Sequence, residues 1–221
     1  MSSTNDIPPQ ADGPDRWEER YSSTRRLWSN EPNEWLATVT ESWTPGRVLD
    51  IGCGEGADLL WLVSRGWEGV GIDYSVTAIS RMCETARLEG LRPRLTGIVG
   101  DASNVDIDGE FDLICASFVH CNDEGDGPTL PGLLARQVER LAPGGRLMIA
   151  VHAVNPPWHS NHGTTYTAAE LLAALSFVTP RWQIEVGEDR WREVPASGEH
   201  EAGRRADALL VLRSPASRED Q

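Results

Sequence analysis

The sequence predicts an α/β fold: a doubly wound sheet of seven strands, most of them parallel. Short apolar segments that read as strands alternate with segments of helical periodicity, down to a fifth strand at residues 146–151. This alternation is typical of a parallel sheet with helices on both faces. Residues 182–186 and 206–213 then read as two strands with no clear helix between them, which predicts an antiparallel pair at one edge.

Each predicted element has a local signal. The strand at residues 47–51 is an apolar run stopped by glycines, and the helix at residues 76–88 carries apolar side chains three and four positions apart. A helix over residues 130–141 is expected to end at the Pro143-Gly144-Gly145 turn. The remaining predicted elements are strands at residues 69–72, 94–99 and 111–116, and helices at residues 57–64 and 167–175.

The two ends of the chain are polar. Residues 1–14 and 214–221 are expected to be a disordered leader and a disordered tail. Residues 15–213 are expected to form a single domain, in which residues 15–45 are a helical lid that precedes the sheet. The first residues do not resemble a signal peptide, and no apolar stretch approaches the roughly 20 residues of a membrane span. A cytoplasmic protein is therefore expected.

The charge balance argues against some partners. The chain of 221 residues has 34 acidic and 20 basic side chains, a formal net charge of −14. Nucleic acids and anionic membranes are bound mainly through Lys and Arg, so neither is expected as a partner. The four cysteines lack the paired spacing of a zinc ribbon, and no metal site is predicted. The sequence does not indicate an oligomeric state.

A glycine-rich loop is the strongest single motif. It reads Asp50-x-Gly52-x-Gly54-x-Gly56 and follows the first strand, where glycines let the backbone approach a ligand and expose amide groups at a helix start. By itself the loop is ambiguous. The spacing Gly52-x-Gly54-x-x-Ala57 also satisfies the dinucleotide-binding pattern.

Three carboxylates around the loop favour one ligand. Asp50 can hold an ammonium group and would repel a pyrophosphate. Asp73 ends the second strand, where it can accept both hydroxyls of a ribose while Tyr74 packs on the adenine. Asp101 follows the third strand and can accept from the adenine amino group while the amide of Ala102 donates to the ring. An amino acid joined to a nucleoside without phosphate is the pattern of S-adenosylmethionine.

The chain resembles the class I methyltransferases, and the resemblance runs from about residue 17 to residue 213. Its carriers are residues 48–56, 69–75, 111–117 and 141–147, which match the family's first loop, its second and fourth strands, and the turn into the fifth strand. The resemblance implies a Rossmann-like sheet and S-adenosylmethionine as cofactor. It also implies cofactor contacts by Gly52, Cys53, Gly54 and Ser117.

The N-terminal segment narrows the resemblance. Trp17-x-x-Arg20-Tyr21, then Trp28 and Pro32-Asn33, is similar to the start of the tellurite-resistance and thiopurine methyltransferase-like group. In that group the segment covers the bound cofactor, which implies that Tyr21 and Trp28 touch S-adenosylmethionine. The alternative is that these aromatic residues only pack amphipathic helices onto the sheet.

The sequence gives weaker signals for the residues that contact the methyl acceptor. His120 follows the fourth strand and His152 ends the fifth, so both are candidates for a general base or an acceptor contact. The spacing of His152, His159 and His162 fits no compact metal-ligand set. The expected function is methyl transfer to an S, O or N atom of a small apolar or aromatic molecule, with S-adenosylhomocysteine as product. The alternatives are an S-adenosylmethionine-binding protein that does not methylate and a nicotinamide-dependent oxidoreductase.

Overall fold

A computed structural model describes residues 14–121, 128–158, 164–196 and 201–217. The expected leader, apart from Pro14, and the last four residues of the expected tail lie outside the described residues. The helices and strands of the described chain are, in order, α1 (Pro14–Ser22), α2 (Glu34–Thr40), β1 (Arg47–Ile51), α3 (Ala57–Ser64), β2 (Glu68–Asp73), α4 (Val76–Leu88), β3 (Leu95–Val99), β4 (Phe111–Ser117), α5 (Leu130–Gln137), β5 (Leu141–Val154), α6 (Ala168–Ala174), β6 (Gln183–Val194) and β7 (Gly203–Arg213).

The sheet has seven strands in the order β3-β2-β1-β4-β5-β7-β6. Neighbouring strands from β3 to β5 are parallel, whereas β7 runs antiparallel to both β5 and β6. The predicted fold class and the antiparallel edge pair are therefore confirmed. The strand order reverses between β1 and β4, and ligands of such sheets bind at this switch point, beyond the carboxyl ends of the strands.

Helices cover both faces of the sheet, because side chains alternate along each central strand. Leu49 and Ile51 of β1 point into one apolar core, which also receives the buried side chains of α5 and α6. Val48 points into the other core, which is shared with α2, α3 and α4. The predicted helix 57–64 and helix 76–88 agree with the observed bounds, and Ser75 caps the second by accepting from the amide of Ala78.

Four elements in the second half of the chain, α5, β5, β6 and β7, differ from the prediction. The helix predicted over residues 130–141 ends at Gln137, followed by a 3-10 turn, and Leu141 already pairs with Phe111 of β4. The Pro143-Gly144-Gly145 turn therefore lies inside an irregular β5 and does not end the helix. β6 and β7 extend well beyond the predicted strands. Most of their additional residues are charged, and main-chain pairing rather than apolar burial holds them in the sheet.

The first part of the chain, called the cover below, contacts the rest of the domain through α1, and its role as a lid over the cofactor stays a prediction. α1 lies against the start of α4, where Glu18 accepts from the side chains of Ser75 and Thr77. At the other end, the order continues past Arg213, since Ser214 hydrogen-bonds to the carbonyl groups of Ala142 and Gly145. None of the described helices has the length and apolar character needed to cross a membrane.

Candidate active site

A cleft of about 930 Å³ lies beyond the carboxyl ends of the central strands and beneath the N-terminal cover. Every site residue predicted from the sequence lines it. These residues are Tyr21, Trp28, Asp50, Gly52, Cys53, Gly54, Asp73, Tyr74, Asp101, Ala102, Ser117, His120 and His152. The fold thus brings together side chains from six parts of the chain. The volume lies near the upper end of the range for small-ligand sites, about 300–1,000 Å³.

The glycine loop turns sharply at the end of β1. Gly52, Gly54 and Gly56 all have positive φ angles, of 67°, 55° and 80°, which only glycine adopts at little cost. Gly54 also has no room for a side chain, because a Cβ atom there would lie 2.6 Å from the hydroxyl oxygen of Tyr21. The lid therefore sits directly on the loop.

Three carboxylates line the glycine-loop end of the cleft, the buried Asp50 and the partly buried Asp58 and Asp73. Burial raises the pKa of Asp50 well above its usual range, and the neighbouring Asp58 raises it further. Burial also raises the pKa of Asp58 and of Asp73. The one hydrogen bond to the Asp50 side chain among the described residues comes from the thiol of Cys115, at 3.5 Å. This cluster would be stabilised by a cation.

Asp73 is positioned by two backbone amides. Its two carboxylate oxygens accept from the N–H groups of Gly54 and Ser75, each at 2.9 Å. This arrangement fixes the carboxylate at the mouth of the glycine loop and uses one lone pair on each oxygen. Each oxygen can therefore accept one more hydrogen bond, as a ribose with two hydroxyls requires.

Asp101 is more heavily engaged than the sequence suggested. Its carboxylate accepts from the amide and hydroxyl of Ser103, from the side chain of Asn104, and from the hydroxyl of Tyr74. Burial opposes the charged form, but these four donors together lower the pKa of Asp101. A carboxylate offers about four acceptor positions. The amide and hydroxyl of Ser103 and the side chain of Asn104 take up three of these positions, which leaves about one for an adenine amino group.

The lid is anchored by a residue that sequence reasoning missed. Glu55, in the glycine loop, is 3% exposed and accepts from the amides of Leu27 at 3.0 Å and Trp28 at 3.2 Å. Its other oxygen accepts from Arg81 of α4 at 2.9 Å. A buried charge needs such partners. The available sequence signal was therefore the glutamate itself, which lies between two glycines of the loop.

Two aromatic side chains of the lid meet above the loop. Tyr21 is 3% exposed, and its hydroxyl accepts from the indole N–H of Trp28 at 3.1 Å. Burial raises the pKa of Tyr21, and the nearby Asp73 adds to this effect, so the phenol stays protonated. Both side chains line the cleft, but only Tyr21 is buried, whereas Trp28 is 47% exposed.

His120 and His152 lie in different surroundings. The ring of His120 stacks on Trp17, with centroids 5.2 Å apart. The Nδ1 atom of His152 is 2.8 Å from a carboxylate oxygen of the fully buried Asp207 on β7. Asp207 also accepts from Trp35 of α2 and from Arg192 of β6.

The Asp207 carboxylate is charged in spite of its burial. Burial alone would raise its pKa, but the hydrogen bonds from His152 and Arg192 outweigh that effect and lower it. An ionised Asp207 fixes the His152 tautomer that carries its proton on Nδ1, which leaves base chemistry to Nε2. Sequence reasoning missed this partner, although an aspartate inside the apolar run of β7 was a signal of a paired buried charge.

A second, smaller chamber of about 310 Å³ adjoins the cleft. The two share Trp28, Phe118, His120, His152 and Arg205 in their walls. Phe118 has a φ of 52°, a strained value for a non-glycine residue, and its ring lies 4.6 Å from that of His152. Such strain is concentrated at functional sites.

His159 and His162, considered above as metal ligands, lie outside the described residues.

Comparison with known proteins identifies the class. Residues 48–145 match the family model described as a methyltransferase domain. The matched segment runs from the glycine loop to the start of β5 and contains the three carboxylates of the cofactor end. This segment, a little under half of the chain, is therefore similar to a methyltransferase domain, in agreement with the resemblance seen in the sequence.

The chain matches only part of the length of each individual relative. The chain is 31% identical over 113 residues to ribosomal RNA small subunit methyltransferase C of Alcanivorax borkumensis, across 51% of this chain and 34% of the relative. It is 39% identical over 98 residues to 2-heptyl-1-hydroxyquinolin-4(1H)-one methyltransferase of Mycobacteroides abscessus, across 43% of each chain. This chain thus spans less than half of either relative.

The structural likeness extends further along the chain. The crystal structure of TehB from Haemophilus influenzae superposes with a TM-score of 0.70 at 20% identity, covering 90% of this chain and 67% of that one. At this identity the likeness concerns the fold.

Proposed function

We propose that this chain transfers a methyl group from S-adenosylmethionine to a sulfur, oxygen or nitrogen atom of a small molecule in the cytoplasm. The observation that carries the proposal is the buried Asp50 carboxylate, which faces the cleft beside Asp58 and Asp73. No ion pair among the described residues neutralises the Asp50 carboxylate. The ammonium of the cofactor's methionine part supplies the missing cation.

The remaining contacts fit the rest of the cofactor. Asp73 has one acceptor position left on each oxygen for the ribose hydroxyls. Tyr74 and Ala102 line the adenine end, and Gly52, Cys53 and Gly54 present backbone at close range, with Ser117 on the opposite wall. A pyrophosphate would face the same carboxylates and be repelled, which disfavours a nicotinamide cofactor.

The reaction is an in-line displacement at the methyl carbon. S-adenosylmethionine supplies a methyl group already activated by its positive sulfur. The chain's part is to hold the acceptor atom in line and exclude water, and orientation of this kind contributes up to roughly 7–11 kcal/mol. Tyr21 and Trp28 close the cleft from above, while the walls of the smaller chamber hold the acceptor.

His152 is the proposed base for acceptors that keep their proton. Because Asp207 holds the proton of Nδ1, the Nε2 atom receives the proton of a phenol or alcohol as the methyl group transfers. The imidazolium so formed is stabilised by the same carboxylate. Thiols that ionise near neutral pH need this base less. His120, held by Trp17, is proposed as an acceptor contact.

A small acceptor is favoured over RNA. The net charge of −14 opposes binding to a phosphate backbone, and the chamber next to the cleft encloses only about 310 Å³. One relative is a ribosomal RNA methyltransferase and another methylates a quinolone, so both acceptor classes belong in the test.

The test is a methyl-transfer screen. The protein is incubated with deuterium-labelled S-adenosylmethionine and panels of thiols, phenols, amines and ribosomal RNA, and products are detected by mass. We expect label in a small molecule, with loss of transfer in Asp73→Ala and retention in Asp106→Ala, an exposed control. Label in RNA alone would contradict the small-molecule proposal. Cofactor binding without any transfer would favour a non-methylating protein.

A further inference from the structure

The smaller chamber has a charge that contrasts with the rest of the protein. The chain as a whole is strongly acidic, with a net charge of −14. Yet the described residues that line the chamber include Arg20, Arg205, His120 and His152, and no acidic side chain. Its apolar walls come from Trp28, Phe118, Val119 and Val151. A cationic chamber with apolar walls is complementary to an anion with an apolar body.

Arg205 of β7 carries the most specific signal. Its Nε atom is buried and has no hydrogen-bond partner among the described residues. A buried, unmatched donor is costly, and guanidinium groups bind carboxylates through two parallel N–H donors. Arg205 lines both the cleft and the chamber, so a group that meets this donor lies beside the methyl-transfer site.

The nearby carboxylate of Asp207 is already engaged by other side chains. Its two oxygens are bonded to His152 and Arg192. Burial lowers the pKa of Arg205, the positive charge of Arg192 lowers it further, and Asp207 opposes these effects. Arg20 stands at the lid side of the chamber, next to the rings of Trp17 and Trp28.

We infer that the acceptor is an organic acid, whose carboxylate is bound by the Arg205 guanidinium while its apolar body packs between Phe118 and Val151. This inference rests on the proposed function and names its substrate class. The methylated atom is a separate thiol, phenol or amine of the same molecule. The carboxylate positions this atom and is not itself the site of transfer.

The test measures binding, so it does not depend on turnover. Mercaptobenzoate isomers and the matching mercaptobenzamides are titrated by calorimetry into the complex of the full chain with S-adenosylhomocysteine. We expect the acid to bind about ten- to a hundredfold more tightly than the amide, the usual effect of a charge-assisted hydrogen bond. Arg205→Gln should remove this preference, and Arg205→Lys should restore part of it.

Arg204→Gln is the matched control. Arg204 is the preceding residue on β7, and it is exposed, paired with Glu193 and stacked on Trp191, away from the chamber. It should leave the preference for the acid unchanged. Thermal unfolding of each variant shows whether it is folded.

The outcomes separate this inference from the proposed function. Failure of S-adenosylhomocysteine to bind would overturn the proposed function itself. Binding of the cofactor product with equal affinity for acid and amide would overturn only the organic-acid inference. Equal binding of inorganic phosphate and mercaptobenzoate would also overturn it, because the chamber would then be a general anion site. Persistence of the preference in Arg205→Gln would exclude Arg205 as its source.

Discussion

Substitution of Glu55 by glutamine tests how the lid is held. Glu55 accepts from two lid amides and from Arg81, and it is almost fully buried. Glutamine keeps the shape but has only one acceptor oxygen and no charge. One group of donors, either the lid amides or Arg81, then faces an amide NH2 group.

The magnitude follows from these contacts. Leaving a buried donor without its acceptor costs about 1–3 kcal/mol, so Glu55→Gln is expected to lower the free energy of unfolding by about 2 kcal/mol. The loss should be concentrated in the lid, because two of the three bonds join the loop to residues 27–28. If the lid covers the cofactor, the affinity for S-adenosylmethionine should fall about tenfold, with faster dissociation.

Hydrogen exchange of the Leu27 and Trp28 amides is the direct assay, with calorimetry for the cofactor. Glu84→Gln is the control, since Glu84 lies on the same helix as Arg81 and forms an exposed pair with Arg87, and exposed pairs contribute little to stability. We expect exchange at residues 27–28 to accelerate in Glu55→Gln alone. Unchanged exchange there would refute the role of Glu55 as the anchor. Accelerated exchange with unchanged cofactor affinity would refute the covering of the cofactor by the lid.

Three further predictions concern the site. Gly54→Ala should weaken cofactor binding and lower the melting temperature more than Gly90→Ala, because both have positive φ but only Gly54 faces the Tyr21 hydroxyl; equal effects would contradict the contact. Asp207→Asn should reduce kcat for a phenolic acceptor about a hundredfold and for a thiol far less, measured by initial rates; equal losses would argue against the base. The pKa of Asp50 is raised by burial, so its ionisation destabilises the cofactor-free fold as pH rises from about 4 through that raised value. Asp50→Asn should therefore stabilise the cofactor-free protein at pH 8 more than at pH 5 in thermal unfolding, while weakening S-adenosylmethionine binding.

The parts predicted correctly from sequence are those with local signals. β1, α3 and α4 begin and end as expected, because glycines stop the strand and Ser75 caps the helix at the expected place. The residues predicted to bind the cofactor also line one cleft, because they directly follow the strands at one edge of a parallel sheet, and their contacts with the cofactor stay a prediction. Their position there follows from the fold class itself.

The parts missed depend on contacts between distant segments. His152 and Asp207 are 55 positions apart, and Glu55 binds lid amides 27 and 28 positions away, so no periodicity links them. β6 is polar and largely exposed along its length. The apolar pattern of the sequence therefore predicted only the first part of this strand. Arg205 gave no sequence signal, because its significance lies in a buried Nε without a partner.

Calorimetric titration with S-adenosylmethionine and with NADH tests the central claim most directly. The account predicts that S-adenosylmethionine binds the wild-type chain and that NADH binds more weakly or not at all. Asp73→Ala should weaken the first by about 1–3 kcal/mol through loss of the ribose contacts. Tighter binding of NADH, or an Asp73→Ala variant with unchanged affinity for S-adenosylmethionine, would contradict it.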